Sequence, residues 1–309
     1  ALTLVGFAFK ASVAPFHQWT PDVYEGAPTT VTAFMATATK AAALGVTLRF
    51  LDVALFPAAD DWAVPVAALA VISIVVGNVG ALGQSSLKRL LAYSSVAQAG
   101  YMLGGVVVGT SLGVQAIVFY LAVYLGMNLA AFAVVVARER ETPLGDSMDA
   151  LAGLGASRPL LAWPMTISML ALAGFPLTAG FIGKFKLIEA TVQGGWIFVG
   201  VAIVIGSMIC LAYYLKVISV MWMRDAPAVE PAPAVKITPA GAPPPGGRPA
   251  LAGGSPELDA EGRIDSGRRD PELVVLAVVF GAATLAAGIV PQPLLEWAAK
   301  AGEAFPGLF

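Results

Sequence analysis

The sequence predicts an all-α fold, a polytopic transmembrane helix bundle of about eight spans, and three observations predict it. Apolar residues make up 58% of the 309 residues and charged residues only 12%, about half the charged share of a soluble domain. Mean hydropathy is +0.79. Runs of about twenty apolar residues, the length a helix needs to cross the hydrocarbon core, recur along nearly the whole chain.

Taken in order, the spans cover approximately residues 1–16, 29–56, 63–83, 89–109, 112–137, 159–191, 195–223 and 272–291. The first is short and closes at Pro15 and His17. A polar stretch, Gln18 to Pro28, reads as a turn, with Asp22 and Glu25 as solvated or helix-capping carboxylates. The sixth is too long for one straight helix and contains Gly174, Pro176, Gly180 and Gly183. Proline removes a backbone donor and glycine lowers the cost of irregular backbone, so this span is expected to be discontinuous. Residues 224–271 are rich in Pro, Ala and Gly and cannot bury enough apolar area to offset the entropy of ordering. They read as a flexible extramembrane loop before a peripheral last span and a short interfacial tail carrying Trp297. The chain begins Ala-Leu-Thr-Leu inside a hydrophobic run, which reads as a fragment start rather than a signal peptide.

Charge sorts the loops. The side reached after spans 1, 3, 5 and 7 holds Lys88, Arg89, Arg138, Arg140, Arg158, Arg224, Lys236, Arg248, Arg263, Arg268 and Arg269, whereas the other holds Arg49 and Lys300. By the positive-inside rule the first side is cytoplasmic. The single cysteine, Cys210, excludes a disulfide framework or a cysteine-ligated iron–sulfur cluster within the chain. No glycine-rich phosphate loop appears, so a nucleotide site is not expected.

The remaining five basic residues lie inside spans: Lys10, Lys40, Lys184, Lys186 and Lys216. An ammonium at bilayer depth costs about 2.5–3.5 kcal/mol on insertion scales, so such groups mark function. Lys40 has apolar or small residues for ten positions before it and eight after it, too far to snorkel. Lys184 follows the break of the sixth span, where half-helix ends coordinate ions. Lys186 and Glu189 read as an ordinary i,i+3 pair, and Lys216 as a snorkelling residue. His17, the only histidine, falls seven residues after Lys10, on one face if the helix continues through Pro15; a proton-relay role is expected of it. Ser94, Gln98 and Tyr101 form one polar stripe and Tyr120, Tyr124 and Asn128 another; such stripes commonly glue helices, or hold a proton path. Burial removes the water that stabilises an ammonium, so charges on its neighbours decide whether the amine keeps its proton. Moving one proton against 100 mV takes about 2.3 kcal/mol.

The run Pro15-Phe-His-Gln-Trp-Thr-Pro-Asp-Val-Tyr-Glu-Gly-Ala-Pro28, with Lys10 ahead and Ala-Thr-Lys40-Ala-Ala after, resembles subunit N of proton-pumping NADH–quinone oxidoreductase, respiratory complex I. Three further segments match in family order: Lys88 to Ser95, Tyr124 to Phe132, and Leu172 to Phe185. The resemblance covers most of residues 1–223. It implies an inverted-repeat architecture, with 1–56 the end of a first antiporter-like repeat, 57–223 a second with its broken helix around 174–184, 224–271 a cytoplasmic loop, and 272–309 a terminal helix and tail. It further implies that Lys10, Lys40 and Lys184 relay protons, with His17 as linker, and that the acidic partner of Lys10 lies on an earlier helix absent here. The fragment alone is therefore not expected to pump. Members often carry histidine where this chain has Gln98, which orients water but takes up no proton. FMN, iron–sulfur clusters and quinone are expected in partner subunits, and no cofactor, metal or nucleic acid in this one. Expected partners are the other membrane subunits, especially neighbouring antiporter-like ones, and the lipid bilayer of a bacterial inner membrane. A cation/proton antiporter subunit and a membrane scaffold are the competing readings.

Overall fold

The computed structural model describes residues 2–142, 144–226 and 270–304. The expected loop thus lies almost wholly outside the described residues. Every regular element among them is helical. Six helices are long and apolar enough to cross a membrane: Thr29–Ala54, Phe56–Leu82, Leu87–Val107, Ser111–Glu141, Ile197–Met223 and Pro271–Ile289. The other two expected spans are each interrupted. The first keeps only α1 (Leu2–Lys10) as helix and continues as the irregular stretch 11–18, after which α2 (Trp19–Gly26) begins.

The stretch read as a solvated turn is therefore mostly helix, and its carboxylates are not free. Pro21 at the third position of α2 needs no intrahelical donor there, and Asp22 and Glu25 each lie 2.8 Å from the Arg89 guanidinium.

The second span is one rod of α3 (Thr29–Phe34), a π-helical turn Met35–Thr39, α4 (Lys40–Arg49) and a second π turn Phe50–Ala54. Then come α5 (Ala59–Leu82), α6 (Leu87–Val107) and α7 (Ser111–Glu141). A short helix α8 (Leu154–Ser157) leads to the second broken span, α9 (Pro159–Ala173) and α10 (Ala179–Gln193). The set closes with α11 (Ile197–Met223), α12 (Pro271–Ile289) and the tail helix α13 (Gln292–Glu303).

Helix α6 is the axis, buried along nearly its whole length, with α5, α7, α10 and α11 around it. Its packing on α5 rests on missing side chains. A Cβ on Gly77 would fall 2.4 Å from the Ala97 amide nitrogen, and one on Gly100 2.8 Å from the Ala70 carbonyl oxygen. Small residues are what let backbones approach in lipid, where no hydrophobic drive separates helix from tail. The outward faces are apolar instead: Val201, Val204, Ile205 and Met208 on α11 fall at i, i+3, i+4, i+7 and are all exposed.

Among the described residues, Lys88, Arg138, Arg158 and Arg224 take part in ion pairs that tie helix ends together. Lys88 lies 3.5 Å from Glu139, and Glu139 accepts a 2.5 Å hydrogen bond from Thr29 at the start of the second span. Arg138 and Arg158 share Glu141, and Arg224 pairs with Asp149 at 3.3 Å.

Candidate functional site: two buried lysines and the side chains between them

Lys184 owes its position to the break. Helix α9 stops because Gly174 turns left-handed at φ +83°, and α10 begins at Ala179 after Leu177, itself at φ +71°. The last carbonyls of α9 are left without intrahelical donors, at the negative end of the helix dipole. The Lys184 side chain reaches back and donates to the Ala173 carbonyl at 3.0 Å. Its ammonium also lies 3.5 Å from the Cys210 sulfur and 4.8 Å above the Tyr101 ring. The residue is 3% exposed. Two glycines make this possible: a Cβ on Gly174 would sit 2.9 Å from the Lys184 Cδ, and one on Gly180 only 1.8 Å from the Ala171 carbonyl oxygen.

Lys40 is 1% exposed and stands directly after the first π turn. π turns insert an extra residue, re-aim the side chains that follow, and are frequent at functional sites. Here the ammonium donates to the Ser95 backbone carbonyl at 2.5 Å and to the Ser95 hydroxyl at 2.9 Å, crossing from the second span to α6. Tyr24 of α2 reaches the same serine, and Tyr124 approaches it without closing a hydrogen bond.

Between the two lysines runs a chain of polar side chains. Ser94, next to Ser95 on α6, is hydrogen-bonded to the Tyr214 hydroxyl. The Gln98 amide donates to Tyr214 at 3.4 Å and to the Leu172 carbonyl at 3.3 Å, and accepts from Tyr120. Leu172 adjoins Ala173, which holds Lys184. A branch continues from Tyr101, whose hydroxyl accepts from Asn78 at 3.0 Å while Asn78 accepts from Tyr213 at 3.0 Å. Among the described residues neither ammonium has a carboxylate within ion-pairing distance. Both are held by neutral acceptors alone.

The stripe of Ser94, Gln98 and Tyr101 therefore belongs to the connection, as does Tyr120. Asn128 instead bonds back to the Tyr124 carbonyl at 2.8 Å, a local helix contact. Lys186 pairs with Glu189 at 2.8 Å, and Lys216 reaches the Gln84 carbonyl at 3.2 Å from an exposed position, both as expected of structural residues. Lys10 is not brought to this group: it ends α1 and is exposed. His17 does not share a helical face with Lys10, because α1 stops there and Ser12 turns to φ +61°. Its half-buried ring packs 6.3 Å from that of Tyr93. Asn78, Tyr213 and Tyr214 were not singled out by sequence, and Cys210 only as the single cysteine; the signal available was the i, i+3, i+4 spacing of Cys210, Tyr213 and Tyr214. Asp52, 1% exposed, was also missed.

The profile of the family described as NADH:quinone oxidoreductase/Mrp antiporter, transmembrane, matches residues 1–210. The chain belongs to that family. The match runs from the first broken span to Cys210 beside Lys184, so it contains both buried lysines and nearly all the side chains between them. Among relatives, NADH-quinone oxidoreductase subunit N of Trichlorobacter lovleyi is 51% identical over 225 residues, covering 72% of this chain and 46% of that protein. Subunit N 1 of Herpetosiphon aurantiacus is 48% identical over 230 residues, covering 74% and 46%. The chain thus spans about half the length of the relatives it matches. Of solved structures, a chain of respiratory complex I from Thermus thermophilus is similar at 33% identity and TM-score 0.72, over 96% of this chain and 57% of that one. A chain of the Mrp complex from Dietzia sp. DQ12-45-1b is similar at 26% identity and TM-score 0.79, over 97% and 58%.

Proposed function

We propose that this chain is part of a proton-translocating membrane subunit of NADH:quinone oxidoreductase, moving protons between Lys40 and Lys184 in response to redox chemistry in partner subunits. The observation that carries it is the pair of buried ammonium groups held only by neutral acceptors, with the hydrogen-bonded side chains of Ser94, Tyr214, Gln98 and Tyr120 lying between them. Without a fixed counter-charge, a modest change in the surroundings decides which amine holds the proton. Ser94, Ser95, Tyr214 and Gln98 orient the transfer, and Gln98 does so without itself binding the proton. Lys10 and His17 extend the path on the side of the first broken span, where Lys10 needs a covering element from outside the described chain. Residues 1–56 then close one antiporter-like repeat and 57–223 form the next, each with a lysine at its break. The basic loops face the cytoplasm of a bacterial cell, and FMN, iron–sulfur clusters and quinone reside in partner subunits.

The experiment replaces Lys184 by alanine in the whole complex and follows NADH-driven proton uptake in inverted membrane vesicles. Loss of uptake with normal assembly is expected. Unchanged uptake refutes the reading and leaves a scaffold. The likeness to the Mrp complex chain supports a second reading, a cation/proton antiporter subunit. Ion movement that persists without NADH oxidation decides for it, but the higher identity to subunits N favours the first.

A further inference from the structure

The rod that carries Lys40 holds a second ionisable group on the same face. Its buried positions are Lys40, Ala43, Leu44, Thr47 and Leu48 on α4, then Leu51 and Asp52 in the second π turn. That spacing is one continuous interior stripe, with Asp52 about 18 Å from Lys40 at 1.5 Å per residue. Asp52 is 1% exposed, and its Oδ1 is fully buried with no hydrogen-bond partner. The elements packed against this turn are α4, the Phe56–Ala58 turn and α5, and Phe50 stacks edge-on against Phe7 of α1 at 5.2 Å. Apart from Lys40, their ionisable side chains are Arg49, Asp60, Asp61 and Lys10. All four are exposed and none is ion-paired with Asp52. A carboxylate left bare in such a place is costly, and a carboxylic acid far less so. The position is also terminal. The span starts at Thr29, tied to Lys88 through Glu139, and Asp52 lies about 35 Å further along the helix, within its last turn.

We propose that Asp52 is a proton-carrying group at the far mouth of the relay, passing protons between the Lys40 face and the water remote from the basic loops. In release, the Asp52 O–H bond breaks and the proton goes to water. The carboxylate is then reprotonated at the expense of the Lys40 ammonium, which becomes an amine. Thr47, buried midway on the same stripe, is the polar side chain between the two groups, its hydroxyl donating to the Ala43 carbonyl at 2.7 Å. Like Lys40, Asp52 stands at a π turn, a local geometry frequent at functional sites.

This inference rests on the proton-relay reading of the chain, and its test separates the two. Asp52→Asn, Asp52→Glu and Lys40→Met are made in the whole complex. Proton uptake per NADH is measured in vesicles, and the protonated-carboxyl band is recorded by infrared spectroscopy at neutral pH. The expected result is loss of uptake in Asp52→Asn, recovery in Asp52→Glu, and a carboxyl band that shifts in Asp52→Glu. Normal uptake in Asp52→Asn alongside loss in Lys40→Met overturns the role of Asp52 and leaves the relay standing. Normal uptake in both variants overturns the relay itself. If Asp52→Asn fails to assemble, Asp52→Glu carries the test: a band that does not shift shows that residue 52 holds no proton, which overturns the proposal.

Discussion

Gly174→Ala is the substitution whose effect follows most directly from the break in the second split helix. Gly174 sits at φ +83°, and a residue with a Cβ held in the left-handed region pays about 1–2 kcal/mol. The new methyl would also lie 2.9 Å from the Lys184 Cδ, closer than carbon atoms pack. The lysine stem is flexible, so it yields; but its Nζ moves with it, away from the Ala173 carbonyl 3.0 Å distant. That charge-assisted bond is worth about 1.5–3 kcal/mol, so the ammonium loses a large share of what holds it. The expected outcome is a modest loss of thermal stability with a disproportionate loss of NADH-driven proton uptake by the assembled complex. Gly145→Ala is the control, since Gly145 has a similar φ of +59° and nothing within 4 Å of the added carbon. It carries the backbone strain without touching a lysine. If Gly174→Ala pumps like Gly145→Ala while Lys184→Ala is inactive, the contact between the break and the ammonium does not matter and the reasoning fails.

Three further outcomes are expected. Gly180→Ala brings a carbon within 1.8 Å of the Ala171 carbonyl oxygen, backbone against backbone, so α9 and α10 cannot keep their packing; size-exclusion of the detergent-solubilised complex shows loss of the assembled form. Gln98→Leu strands the buried Tyr120 hydroxyl, costing about 1–3 kcal/mol in a melting experiment, and cuts proton uptake by interrupting the link to Leu172, whereas Gln98→His retains uptake. Glu139→Gln removes the charge from its 3.5 Å contact with Lys88 but keeps an acceptor for Thr29. Lys88 is buried and Glu139 largely so, so the cost exceeds that of a surface pair and reads as about 1–3 kcal/mol in a melting experiment.

The bundle was readable because hydropathy reports solvent preference residue by residue. Apolar runs bounded by polar loops fix the spans. The split of the sixth span was readable too, because Gly174, Pro176 and Gly180 each oppose regular helix. The helical nature of Trp19–Gly26 was hidden by Pro21, Asp22 and Glu25, residue types that read as loop until Arg89, more than sixty positions away, supplies their partner. The two π turns left no mark in Met35–Thr39 or Phe50–Ala54, since any residue tolerates that geometry once packing demands it.

The sequence alone placed the Lys40 amine in apolar surroundings, because its flanks offer no near route to water, and marked Lys184 by its place just after a helix break. Only the tertiary structure decided what those amines meet. Ser95 and Gln98 on α6 and Tyr214 on α11 lie far from Lys40 and Lys184 in the chain, and their hydroxyl and amide groups come between the lysines because α6 is enclosed by the second span, α7, α10 and α11. Hydrogen-bond partners at long sequence separation follow from which helix faces which. Facing is set by the close approach of small residues and by the breaks, not by the period of the chain itself.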